Sequence, residues 1–301
     1  MRSLVICLLI LGLVALPLGL LAAMSSTNFQ IQWDTVSTGG GDNASSATYQ
    51  LRDTSGNQAV GDVSSTSYNI AAGYRQGVFD QILAFEVYAQ STSTVRAATS
   101  VIGTTVSASE TGISEGDFVA VVENLGASQV VAVGQVASTG AGSIVVDRWT
   151  DNGTFPTIDG TNDFLYILSG STIDFENFSV SAVKTAVVAM LVSTDMTLGY
   201  TITVFDDGDL RDGLESISDI ADGTVSAGSS EYGGRSSDSS LVSSTFDTQD
   251  TAFTTSAQEV VTVTDPTFDD RTFVTLKAAI DSGQASGTYA NTLSLVVSAN
   301  Y

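Results

Sequence analysis

Thr292-Leu293-Ser294-Leu295-Val296-Val297-Ser298-Ala299-Asn300-Tyr301 is the stretch on which the reading of the fold turns. In an extended chain Leu293, Leu295, Val297, Ala299 and Tyr301 lie on one face, and Thr292, Ser294, Val296, Ser298 and Asn300 lie on the other. One face is apolar and the other polar except for Val296, which is what a strand with one buried and one solvated side requires. The same chemistry recurs upstream at 187–192, 200–205, 260–263 and 273–276, so residues 172–301 hold enough short strands for a β-sandwich of immunoglobulin-like size.

Before this region, residues 79–171 carry Val-rich runs at 118–122, 130–136, 143–146 and 164–168. Turn chemistry separates them, as in Glu115-Gly116-Asp117 and Asp151-Asn152-Gly153. Evenly spaced short strands predict a small all-β domain, a barrel or a sandwich. No window sustains a 3.6-residue apolar period, so helices should be scarce.

An internal repeat occupies 24–78. Ser25-Ser26-Thr27-Asn28-Phe29-Gln30-Ile31, Ser45-Ser46-Ala47-Thr48-Tyr49-Gln50-Leu51 and Ser64-Ser65-Thr66-Ser67-Tyr68-Asn69-Ile70 share S-S-x-x-[FY]-[QN]-[IL]. In each copy an aromatic and an aliphatic residue two positions apart fall on one strand face. Gly39-Gly40-Gly41 and Gly56-Asn57 read as the turns between them, giving a thin β-meander.

At the N-terminus Arg2 precedes an uncharged apolar run, Leu4 to Ala23, that closes on the small pair Ala22-Ala23. This is the pattern of an export signal, with 1–23 as the leader and Met24 as the new N-terminus. The run is also long enough to span a bilayer, so a retained anchor is the alternative and the only route to the membrane. After residue 23 the chain has no Cys and no His, and only two Lys. The formal net charge of −23 disfavours nucleic acid as a partner, since a field of that sign repels phosphates. An extracellular or cell-surface location follows from these features together.

Several stretches resemble repeat-bearing secreted β-rich surface proteins of uncharacterised, candidate-phylum bacteria. They are the S-S-x-x-Y repeats ending in Ala72-Gly73-Tyr74, Gly199-Tyr200-Thr201-Ile202-Thr203-Val204 followed by Asp206-Asp207-Gly208-Asp209-Leu210, and the closing Ala285-Ser286-Gly287-Thr288-Tyr289-Ala290-Asn291-Thr292. The last of these is also similar to spore-coat and chaperone-usher pilin-type domains, whose final strand follows a G-T-Y turn. The resemblance implies an exported surface protein of β architecture and brings no catalytic residues.

Composition limits the chemistry. Without His there is no Ser-His-Asp triad, and without Cys beyond the leader there is no thiolate nucleophile or zinc cage. Ser181-Ala182-Val183-Lys184 matches S-x-x-K, but a strand-like run follows it and the S-D-N and K-T-G partners are missing. Ile280-Asp281-Ser282-Gly283 is half of an aspartic-protease signature and reads as a turn. A glycosidase needs only two carboxylates, yet nothing singles out a pair.

The densest polar cluster runs from Asp206 to Asp222. Asp206, Asp207, Asp209 and Asp212 surround Gly208, and hard oxygen donors on a Gly-bent loop suit Ca²⁺. The EF-hand pattern fails in both registers because Arg211 occupies a ligand position. The stretch therefore reads as a solvated acidic loop or as a calcium site of another kind.

These readings combine into a non-enzymatic secreted or cell-surface structural or adhesive protein, associating with itself, with other surface proteins or with polysaccharide. It needs no cofactor beyond that possible Ca²⁺. The alternative is an extracellular carbohydrate- or polymer-binding module using Trp33, Trp149 and Tyr side chains as stacking platforms. A Trp packed into its own sheet favours the first, and a Trp on a flat open face favours the second.

Overall fold

The computed structural model describes residues 39–45, 50–55, 61–64, 69–72 and 82–300. The chain divides into a unit spanning 1–80 and a unit spanning 81–301.

In the first unit, β1 (Gly39–Ser45) pairs antiparallel with β2 (Gln50–Ser55), and β3 (Gly61–Ser64) pairs antiparallel with β4 (Asn69–Ala72). The triple glycine expected to turn is instead part of a strand, with Gly39, Gly40 and Gly41 facing Ser55, Thr54 and Asp53. A backbone ladder needs no side chain, so glycines join it when the partner strand is in register. The first repeat copy, Trp33, the 1–23 leader and Tyr301 lie outside the described residues.

The second unit is all-β. Its strands are β5 (Leu83–Ala89), β6 (Arg96–Ala97), β7 (Ser100–Ile102), β8 (Thr105–Ser107), β9 (Phe118–Glu123), β10 (Val130–Gly140), β11 (Ser143–Asp151), β12 (Phe164–Leu168), β13 (Lys184–Thr194), β14 (Tyr200–Asp206), β15 (Leu210–Asp212), β16 (Glu215–Asp219), β17 (Glu231–Ser236), β18 (Gln258–Val263), β19 (Thr267–Ala279) and β20 (Leu293–Ala299). Among the described residues the helical content is one 3-10 turn at Thr92–Thr94, and no helix is long and apolar enough to cross a membrane.

Seven strands form a sheet in the order β6-β12-β9-β10-β11-β8-β7. Its two end strands, β6 and β7, are separated in the chain only by Ala98 and Thr99, so the sheet curls back on itself. The curled interior holds Val106, Val119, Val121, Ala132, Ile144, Val146 and Leu165. Alternation sends Phe118, Ala120 and Val122 of β9 to the outer face, where they meet Val187, Ala189 and Phe273.

Those last three belong to the six-stranded sheet β15-β16-β17-β19-β13-β5. Its other face, with Val188, Met190, Val192, Val274 and Leu276, packs on the three-stranded sheet β18-β14-β20. The middle sheet is thus covered on both sides, which is why β13 is buried almost continuously while β14 alternates strictly. β5 precedes the curled sheet in the chain yet hydrogen-bonds to β13, placing the first strand after residue 79 in the same sheet as strands from the C-terminal segment.

Candidate binding cleft

Strand register leaves two rims facing a common opening. Gln90 N donates to Val187 O, so the even-numbered residues of β5 aim their main-chain groups at β13 and the odd-numbered ones aim away from it. Ala89, an odd member, accordingly bonds with Gly170 and Ser169. On β20, Asn300 N donates to Gly199 O and Thr292 O accepts from Asp207 N, so even residues face β14. The main-chain groups of Phe85 and Val87 on one rim, and of Leu295 and Val297 on the other, point to sheet edges that carry no further strand among the described residues.

Between the rims lies a cleft of 1410 Å³. Its floor is apolar: Val87, Val188, Val204, Leu276 and Leu295, with the rings of Tyr232 and Phe253 set 5.4 Å apart. Residues 171–178, connecting β12 to β13, run along the opening with Ile173, Phe175 and Phe178 half-buried against the core and Asp174 and Glu176 exposed. This segment has the alternation of a strand without its ladder. Among the described residues it makes no main-chain hydrogen bond to β5 or β20 and is held by an Asp174 Oδ1 bond from Glu176 N, the Glu176–Lys184 ion pair at 3.4 Å, and its apolar side chains.

The acids singled out from sequence do not act as one set. Asp207 is exposed, paired with Arg211 at 2.9 Å, and accepts from Thr292 N; that backbone bond and the Arg211 bond hold its carboxyl below the ordinary range. Asp212 is exposed and accepts from Thr288 N at 3.0 Å, tying the last hairpin to β15. Asp209 is half-buried at the turn, and Asp206 alone is buried. Among the described residues no group of three acids is arranged to hold a metal ion.

Other sequence candidates resolve into scaffolding. Lys184 opens β13 and Ser181 shares a hydrogen bond with Ser179 in the preceding turn. Asp281 Oδ1 accepts from Gly283 N, closing a turn. Trp149 packs on the interior of the curled sheet, with Nε1 donating to Gly103 O at 3.1 Å and its ring edge-on to Phe155. The cleft itself was not legible from sequence, because its walls come from strands far apart in the chain. Comparison of the chain with protein-family models, curated proteins and solved structures finds no match.

Proposed function

We propose that this is a non-enzymatic, secreted or cell-surface structural and adhesive protein that assembles by accepting an extended segment of another copy along the rims of the cleft. One observation carries the reading: an apolar groove lies between two open strand edges, and the segment across it has strand-like alternation but no ladder bonds. An unpaired edge offers ready donors and acceptors for strand addition, and pockets beneath it give the incoming side chains a place to pack. Trp149, packed into its own sheet, also supports a structural role over stacking on a flat polymer.

Hydrogen exchange on the intact protein tests this by comparing dilute with concentrated samples. The amides of Phe85, Val87, Leu295 and Val297 should gain protection as the protein associates. A protein that stays monomeric at high concentration, or associates with these four amides unchanged, would overturn the reading.

A further inference from the structure

Strand alternation turns two acids toward the same end of the sandwich, and among the described residues no cation neutralises them. On β14 the inward register runs Tyr200, Ile202, Val204 and then Asp206, so the strand that builds the core also delivers a carboxylate to its end. Asp206 is 5% exposed, and among the described residues neither of its carboxylate oxygens has a hydrogen-bond partner. On β16 the inward register runs Ile217 and then Asp219, whose Oδ1 is also buried and unpartnered. Asp219 stands opposite Tyr232 in the parallel β16–β17 pair, and Tyr232 feels the charge of both acids. Asn291 reaches the same end of the sandwich, its Nδ2 donating to Gly208 O at 3.3 Å.

Among the described residues no Lys or Arg pairs with Asp206 or Asp219. Arg211, the cation of this loop, is taken by Asp207. A carboxylate removed from water without a partner is strongly unfavourable, and it recruits either a proton or a cation. Burial, then the charges of Asp209 and Asp206, push Asp219 up to about 6. Burial likewise raises Asp206, with Asp207 and Asp209 adding to the rise against the opposing pull of the nearby Gly208 N–H and of its own backbone N–H.

We propose that Asp206 and Asp219 are the two carboxylate anchors of a divalent-cation site of the calcium class, with Asp209, the Asn291 side chain and water completing the oxygen shell. All the donors are hard oxygens, with no imidazole or thiolate, and Ca²⁺ accepts an irregular shell of six to eight of them. Asp207 and Asp212 are outside the site because backbone N–H groups and Arg211 already hold them. Cation loading draws Asp209 toward the anchors and orders the turn between β14 and β15. The proposal does not depend on what occupies the cleft.

Terbium emission excited through Tyr232, measured on the intact protein at neutral pH, tests this directly, alongside melting in chelator and in millimolar calcium. The expected result is emission that calcium displaces and a melting temperature higher by about 5 °C with calcium. Asp206→Asn and Asp219→Asn should lose both effects, Asp207→Asn should keep the emission, and Tyr232→Phe should lose emission while keeping the calcium shift. If Asp206→Asn does not fold, Asp219→Asn decides alone. Equal calcium shifts in wild type and Asp219→Asn would place the cation elsewhere and overturn the proposal. So would a stability profile between pH 4 and 7 that calcium leaves unchanged, which would mean that protons alone neutralise the pair.

Discussion

Arg271 of β19 grips Asp147 of β11 through two hydrogen bonds, Nη1 to Oδ1 at 2.7 Å and Nη2 to Oδ2 at 2.6 Å, at the seam between the curled sheet and the six-stranded sheet. The guanidinium is 5% exposed as part of its residue and lies 5.2 Å from the centre of the Phe118 ring. Burial pulls the Asp147 carboxyl up, but the Arg271 bonds and the N–H groups of Arg148 and Gln135 outweigh it and hold the group below its ordinary value. Such a fork–fork pair fixes geometry as well as charge.

Asp147→Asn should therefore destabilise the protein by about 1–2 kcal/mol, because the Arg271 guanidinium is buried while the Asp147 carboxylate is partly screened by solvent. A lowered folded-state value means that the ion pair stabilises fully above the unfolded carboxylate value and loses its effect as pH falls through the folded one. In urea titrations at several pH values, the gap between wild type and variant should shrink as pH drops below 3.8, the ordinary Asp value. A gap independent of pH would remove the ionic account.

Lys277 and Asp250 form the deeper pair, 2.8 Å apart, with Asp250 3% exposed and also accepting from Val225 N. Lys277→Met should cost on the order of 3 kcal/mol because it strands the carboxylate. Lys277→Met with Asp250→Leu should recover part of that loss, and chemical denaturation of the three proteins measures the coupling.

Gly199 leads into β14 at a φ of +67°, and a Cβ there would sit 2.1 Å from Val263 O. Gly213 has nearly the same φ, +64°, with open space around it. Gly213→Ala should cost about 1 kcal/mol, for backbone strain alone. Gly199→Ala should cost several times more or prevent folding. Similar melting temperatures for the two would contradict the packing around Gly199.

Asp219 works in the opposite sense to Asp147. Its raised folded-state value means a contribution to stability that is full below 3.8 and lost as pH rises through about 6. In chelator, Asp219→Asn should be more stable than wild type at neutral pH and lose that advantage near pH 4. Thermal melts across this range check the sign.

Ending the chain before Leu293 removes Leu293, Leu295 and Val297 from the core and, of the two strands that flank β14, the one that pairs along its whole length. The truncated protein should lose its cooperative unfolding transition, as followed by tryptophan fluorescence and circular dichroism.

Residue pattern alone determined that the chain is all-β, and it located the Val-rich strands β9, β10, β11 and β12 and the amphipathic β14 and β20. Period-2 alternation is a local property, enforced by the pleat whatever the strand packs against. β17 escaped detection because Glu231-Tyr232-Gly233-Gly234-Arg235-Ser236 lacks that pattern. Its glycines are explained only by tertiary structure, since a Cβ on Gly234 would lie 2.5 Å from Phe253 and one on Gly233 would lie 2.6 Å from Ile220. The same division holds for the acids. Sequence showed that carboxylates crowd together between residues 206 and 222, but neighbours in sequence alternate in direction. It took the pairing of β14, β16 and β17 to turn Asp207 and Asp212 outward onto backbone N–H groups, to bury Asp206 and to half-bury Asp219 with its Oδ1 unpartnered among the described residues. The cleft, too, exists only because β5 crosses to β13 and β20 to β14, contacts that no local pattern encodes.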